Sequence, residues 1–124
     1  MKDINYFTSE KLTIGEFLNK VSECSDDAIL LESCFNVDYT KKLFEKDIDN
    51  FEPIVGFYDE VYEVMFVSEF SRNHKKAKTL KEFKEFIERG NIDINFQINR
   101  DVEDSYRYEY FENIIYSKDV IILL

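Results

Sequence analysis

The chain has 124 residues, 44% of them hydrophobic and 16% aromatic, with 26 acidic against 16 basic side chains and a formal net charge of −10. That length fits one domain around one core, and the apolar share excludes a disordered tail. The charge excludes a general nucleic-acid surface, which needs a basic face.

The acid is unevenly placed. Residues 1–70 carry 16 Asp and Glu against 6 Lys and Arg, whereas residues 71–124 carry 10 of each. A basic partner is the natural complement of such a surface. No apolar leader follows Met1, and Val120 to Leu124 is the longest uncharged apolar run, far short of the ~20 residues that cross a bilayer. A cytoplasmic protein without a membrane partner is expected. Cys24 and Cys34 lack the spacing of a metal motif and are expected to be buried reduced thiols.

In chain order, Thr13-Ile14-Gly15-Glu16 is a capping box, and Ile14, Phe17, Leu18 and Val21 follow at helical spacing, which predicts a helix over about 13–24. The apolar run Ala28 to Cys34 reads as a strand buried on both faces. Asp38 is expected to cap a second helix with Tyr39, Leu43, Phe44, Ile48 and Phe51 on its inner side, ending before Pro53. Residues 54–58 and 61–70 predict a hairpin turning at Asp59-Glu60. Ser71 to Lys78 reads as a polar loop.

A second capping box, Thr79-Leu80-Lys81-Glu82, opens a helix with Leu80, Phe83, Phe86 and Ile87 inward and Gly90 as its stop. Ile92, Ile94, Phe96 and Ile98 alternate with polar residues as in a half-buried strand. Ser105 to Glu112 alternates too, placing Tyr106, Tyr108 and Tyr110 on one face, and Asp119 to Leu124 predicts a closing central strand. The two capped helices overlay at an offset of 66, with Thr13 on Thr79, Glu16 on Glu82, Phe17 on Phe83 and Asp27 on Asp93, as a duplicated helix-strand unit would. The expected fold is α+β: an antiparallel or mixed sheet with two or three helices packed on one face, in a single domain over 1–124.

Nothing in this pattern supplies a catalytic, cofactor or metal site. His74, the only histidine, sits among Arg72, Lys75 and Lys76 and reads as a solvated loop residue. Gly15, Gly56 and Gly90 are isolated, so no phosphate-cradling loop is present. The basic cluster of Arg72, Lys75, Lys76, Lys78, Lys81 and Lys84 has no interleaved aromatic and reads as a solubilising face, with Lys81–Glu85 and Lys84–Glu88 as neighbours at i, i+4.

In size, acidity and the run Asn50-Phe51-Glu52-Pro53-Ile54-Val55-Gly56-Phe57 leading through the hairpin to Thr79-Leu80-Lys81-Glu82-Phe83, the chain resembles the small acidic immunity proteins that bacteria carry beside polymorphic or contact-dependent toxins. The resemblance implies a tight stoichiometric complex with a toxic nuclease or similar domain and assigns no residue a role. The residues themselves point to a non-catalytic binding protein that meets a basic protein through Asp38, Glu45, Asp47, Asp49, Asp59, Glu60 and Glu63, with Tyr106, Tyr108 and Tyr110 as adhesive contacts. Two alternatives stay open: a phage anti-defence protein whose carboxylates imitate DNA phosphates, and a small-ligand domain using Asn95, Gln97, Asn99 and Arg107. An exposed edge strand at 92–99 leaves a homodimer open as well.

Overall fold

The computed structural model describes residues 4–101 and 110–124. Seven strands, β1 (Asn5–Thr8), β2 (Ile29–Glu32), β3 (Glu52–Glu60), β4 (Glu63–Ser68), β5 (Gln97–Arg100), β6 (Asn113–Tyr116) and β7 (Val120–Leu123), join three helices, α1 (Ile14–Lys20), α2 (Val37–Lys46) and α3 (Leu80–Arg89). The strands form one mixed sheet in the order β1-β6-β7-β2-β3-β4-β5, in which β2–β7 and β4–β5 are parallel and the other pairs antiparallel. The fold is α+β.

The sheet cannot be flat. β1 and β5 are its two edges, yet Thr8 is paired to β6 and Thr13 to Gln97 of β5. Five residues span at most ~18 Å, whereas six strand spacings of a flat sheet would need ~29 Å. The sheet is therefore curled into an open barrel, with Leu12–Thr13 laid along β5: Ile98 N donates to Leu12 O at 2.9 Å.

The helix overlay seen in the sequence has a structural counterpart. Each helix entry pairs with the strand that follows the other helix. Ile98 N donates to Leu12 O as Leu30 N does to Lys78 O, both at 2.9 Å. Ile14 N donates to Phe96 O as Leu80 N does to Ala28 O, again at 2.9 Å. Gly15 N donates to Ile94 O (2.8 Å) as Lys81 N does to Asp26 O (2.9 Å). Strands are exchanged in the same sense, since β4 lies parallel to β5 and β7 parallel to β2, and the pair Leu31–Pro53 is matched by Asn99–Tyr110. Phe17 and Phe83 meet edge to face at 5.5 Å where the two units touch. The chain thus contains two helix-strand-strand-strand units related by an approximate two-fold rotation. The helix entries correspond at an offset of 66 and the following strands at 68, because α3 continues to Arg89 while α1 stops at Lys20; Asp27 consequently corresponds to Asn95, not to Asp93.

Both capping boxes are formed: Glu16 N donates to Thr13 Oγ1 (3.1 Å) and Glu82 N to Thr79 Oγ1 (3.2 Å), while each Glu accepts from its Thr amide. α1 and α3 pack in one core with Leu30, Ile54, Val64, Phe66, Ile98, Ile114, Ile121 and Leu123. α2 lies on the opposite face, where Phe44 and Phe51 pack with Leu31, Ile115, Val120 and Ile122. The helices therefore divide two and one between the faces. This follows from β2 and β7 being apolar at every position but Glu32, which leaves a hydrophobic surface on both sides of the sheet.

Other expectations are corrected in detail. α2 is capped by Asn36, whose Oδ1 accepts from Tyr39 N at 2.8 Å, with Asp38 in its first turn and Tyr39 exposed. The hairpin turns two residues later than expected, at Val61-Tyr62, with Tyr62 in the left-handed region (φ 64°). Strand β5 begins only at Gln97. Residues 92–96 form a turn organised by Asp93, whose Oδ1 accepts from Asn95 N at 2.9 Å, and Ile94 is 55% exposed. Gly90 does end α3, but in helical conformation; the left-handed residue is Asn91 (φ 48°). Gly90 is required by the approach of Ile92, whose Cγ1 would lie 2.9 Å from an added Cβ. The thiols are free, Cys24 half-buried and Cys34 exposed. The predicted strand over 105–112 lies outside the described residues except at its end, where Phe111 is buried. Among the described residues no helix is long and apolar enough to cross a membrane.

Candidate functional site

The expected acidic surface falls into two patches. Asp38, Glu45, Asp47 and Asp49 are exposed on α2 and the 3-10 turn Ile48–Asn50, whereas Asp59, Glu60 and Glu63 lie at the hairpin tip. The length of β3 separates them, roughly 25 Å at strand rise. Tyr106 and Tyr108, with Arg107, lie outside the described residues; Tyr110 is partly exposed beside Asn99. Asn99, expected on a wet face, is buried. Half of the basic cluster is paired with carboxylates: Lys76 with Glu69 (3.3 Å), Lys78 with Glu82 (3.2 Å) and Lys84 with Asp26 (3.0 Å), the last replacing the expected Lys84–Glu88 neighbours.

The acid of the first patch continues into a cleft of about 360 Å³ lined by Glu32, Cys34, Phe35, Asp49, Asn50, Glu52, Phe70, Ser71 and Arg72. Its floor is the end of the β2–β3 ladder, where Glu32 and Glu52 stand directly opposite one another. Carboxylates in this relation are about 5 Å apart at Cβ and repel. Each is compensated differently. Glu32 is only 5% exposed and points into the barrel mouth, where its Oε1 pairs with Arg100 Nε across the inner face of the sheet. Arg100 Nη2 also donates to Ser33 O (3.1 Å), and the guanidinium lies 5.0 Å from the centre of the Phe111 ring. Glu52 Oε2 accepts from the Ser68 hydroxyl at 3.0 Å.

The walls are fixed by local polar chemistry. A buried Ser33–Thr40 hydroxyl pair at 2.7 Å ties the end of β2 to α2, and Phe35 N donates to Ser33 Oγ at 3.1 Å. Phe35 then rests edge to face on Tyr39, 5.1 Å between centroids. Asp47 Oδ1 caps the 3-10 turn by accepting from Asp49 N at 3.1 Å. His74 is not a solvated loop residue: its ring is 14% exposed, Nε2 is 2.8 Å from Phe51 O and Nδ1 is 3.8 Å from Asp49 Oδ1. It braces the loop that carries Phe70, Ser71 and Arg72 against the 3-10 turn. Phe70 itself is 95% exposed.

None of Glu32, Cys34, Phe35, Glu52, Phe70 and Arg72 is among the binding residues expected from the sequence. The available signal was Glu32, a charge inside an otherwise apolar strand. Comparison with family models, curated proteins and solved structures finds no match.

Proposed function

We propose that this chain is a non-catalytic binding protein that neutralises a basic protein partner, in the manner of an immunity protein blocking a nuclease-type toxin. The observation that carries the reading is the cleft: two adjacent carboxylates, Glu32 and Glu52, beside Asp49 and edged by the exposed phenyl rings of Phe35 and Phe70. The same half of the chain holds all the net negative charge, so long-range attraction would speed encounter and the Phe contacts would slow release. The separation of the acidic patches by the length of β3, roughly 25 Å at strand rise, argues for this reading over a phage anti-defence inhibitor, since a DNA mimic needs carboxylates laid out continuously like phosphates. Purification of the tagged chain from its own host at moderate salt, with the captured protein identified by mass spectrometry, tests the proposal. A one-to-one complex whose association slows as salt is raised supports it; no complex, or one indifferent to salt, contradicts it.

A further inference from the structure

We infer that the free edge of β3 over Gly56–Asp59 is a docking site for an extended segment of a partner protein, which adds antiparallel to β3 and seats one large apolar side chain against Phe57 and Phe86. The two halves of the chain differ at equivalent places. The β3–β4 pairs Phe57–Phe66, Tyr58–Met65 and Asp59–Val64 correspond, at a constant offset of 57, to the β6–β7 pairs Ile114–Leu123, Ile115–Ile122 and Tyr116–Ile121. The outer edge of β6 is covered by β1, with Thr8 opposite Asn113, Phe7 opposite Ile114 and Asn5 opposite Tyr116. The matching edge of β3 is open. Its pairing with β2 stops at Pro53, and beyond that Lys78 N donates to Ile54 O at 2.7 Å. Residues 71–74, which stand at the place of β1 at the helix offset of 66, bend instead into the 3-10 turn His74–Lys76, where His74 Nε2 lies 2.8 Å from Phe51 O.

The backbone and the groove beside it both suit a strand. β3 and β4 close on the pair Glu60–Glu63, so Glu60, Tyr58 and Gly56 exchange hydrogen bonds with β4, and the amides and carbonyls of Phe57 and Asp59 point to the open side. Among the described residues, no backbone hydrogen bond from another element reaches Phe57 or Asp59 there. In β6 the same alternation leaves Ile114 and Tyr116 to bond β1, because Asn113 exchanges its bonds with Leu124. A groove of about 640 Å³ runs along the open edge, with Val55, Gly56, Phe57 and Asp59 on one wall and Glu82 and Phe86 of α3 on the other.

The first half shows what such a place accepts. Phe7 of β1 packs against the core beside α1, and Lys20 Nζ lies 4.7 Å from its ring centre. Phe86 holds the place of Lys20 in α3, at the offset of 66, with its ring 5.5 Å from that of Phe57. A large apolar residue opposite Phe57 is therefore what the groove selects. The carboxylates of the helix wall are matched, Glu82 by Lys78 (3.2 Å) and Glu85 by Arg89 (3.7 Å), while exposed Asp59 disfavours an acidic residue opposite it. Main-chain bonds supply the affinity and the apolar seat supplies the choice of segment.

The test is an NMR titration of the whole chain with a blocked peptide that carries the sequence of Ile4–Ser9 between single lysines, the segment that already fits the equivalent edge. Expected are amide shifts at residues 55–59 and 82–90, slowed hydrogen exchange at the Phe57 and Asp59 amides, and a dissociation constant on the order of a millimolar or below. N-methylation of the peptide's phenylalanine removes its donor to Phe57 O and should weaken binding about tenfold. Phe86→Ala should weaken it about two- to fivefold; the N-methylated peptide leaves the protein untouched and so reads the inference even where that variant disturbs α3. Unchanged exchange at Phe57 and Asp59, equal binding of the N-methylated peptide, or shifts confined to the β6 edge would overturn the inference. The same amide changes on concentrating the chain without peptide would also overturn it, making a second copy the occupant. This edge and the acidic cleft share no lining residue. A basic partner captured without peptide binding thus sinks this inference alone, and peptide binding without a basic partner sinks only the proposed function.

Discussion

Glu32 and Arg100 occupy equivalent places in the two halves of the chain and meet as a buried ion pair across the inner face of the curled sheet. Where Phe17 and Phe83 join the halves through like residues, this pair joins them through opposite charges. It closes the barrel mouth and sets the floor of the cleft.

Removing one partner leaves the other charge buried. Arg100→Met or Glu32→Leu alone is expected to destabilise by about 3–5 kcal/mol, while the double replacement recovers most of the loss. Urea unfolding of the four proteins in a double-mutant cycle measures the coupling. Independent losses would mean that the pair does not bridge the units.

Phe17 and Phe83 are both fully buried in the inner core. Either truncation to Ala should cost about 3–5 kcal/mol, with a coupling of about 0.5–1.5 kcal/mol from their edge-to-face contact. Additive losses in thermal unfolding would contradict the contact between the two units.

The second capping box carries a pH signature. Burial alone would raise the Glu82 carboxyl, yet hydrogen bonds from Lys78 and from the amide and hydroxyl of Thr79 outweigh it and hold the group below its ordinary range. A lowered folded value means that its stabilisation is complete above the unfolded carboxylate value of about 4.3 and disappears as pH falls through the lower folded value. Glu82→Gln should therefore cost stability at neutral pH and reduce the acid-side loss. Thr79→Ala should cost about 1 kcal/mol. An acid limb unchanged in Glu82→Gln would contradict this account.

Two glycines should respond oppositely to a methyl group. A Cβ at Gly56 meets nothing within 4 Å and its backbone is not left-handed, so Gly56→Ala should stabilise by about 0.4–1 kcal/mol through the unfolded chain. At Gly90 the methyl would press on Ile92, and Gly90→Ala should destabilise by about 1 kcal/mol or more. Comparison of urea midpoints checks both signs.

What was legible in the sequence was local. Thr13 with Glu16 and Thr79 with Glu82 announce helix starts because capping is settled within four residues, and β2 is visible as an apolar run because both its faces are covered. The turn at Val61-Tyr62 was hidden, since no Gly or Asn marks the left-handed position that Tyr62 takes. The alternation over 92–98 misled, because Asp93 makes a local turn of half that run. The cleft was illegible for a different reason: Glu32 and Arg100 are 68 residues apart, and Phe35, Glu52 and Phe70 converge only when the sheet curls. Composition located the acid correctly in the first half but not its separation into two patches.

The most direct measurement is capture of a basic protein from the host by the tagged wild-type chain, by Glu52→Gln and by the hairpin-tip variant Asp59→Asn/Glu60→Gln, with the affinity of the captured protein measured for each at moderate salt. The account predicts a tight one-to-one complex for the wild type, a large loss with Glu52→Gln and a small one from the tip. Binding that is absent in the wild type, or lost only from the tip, would contradict it.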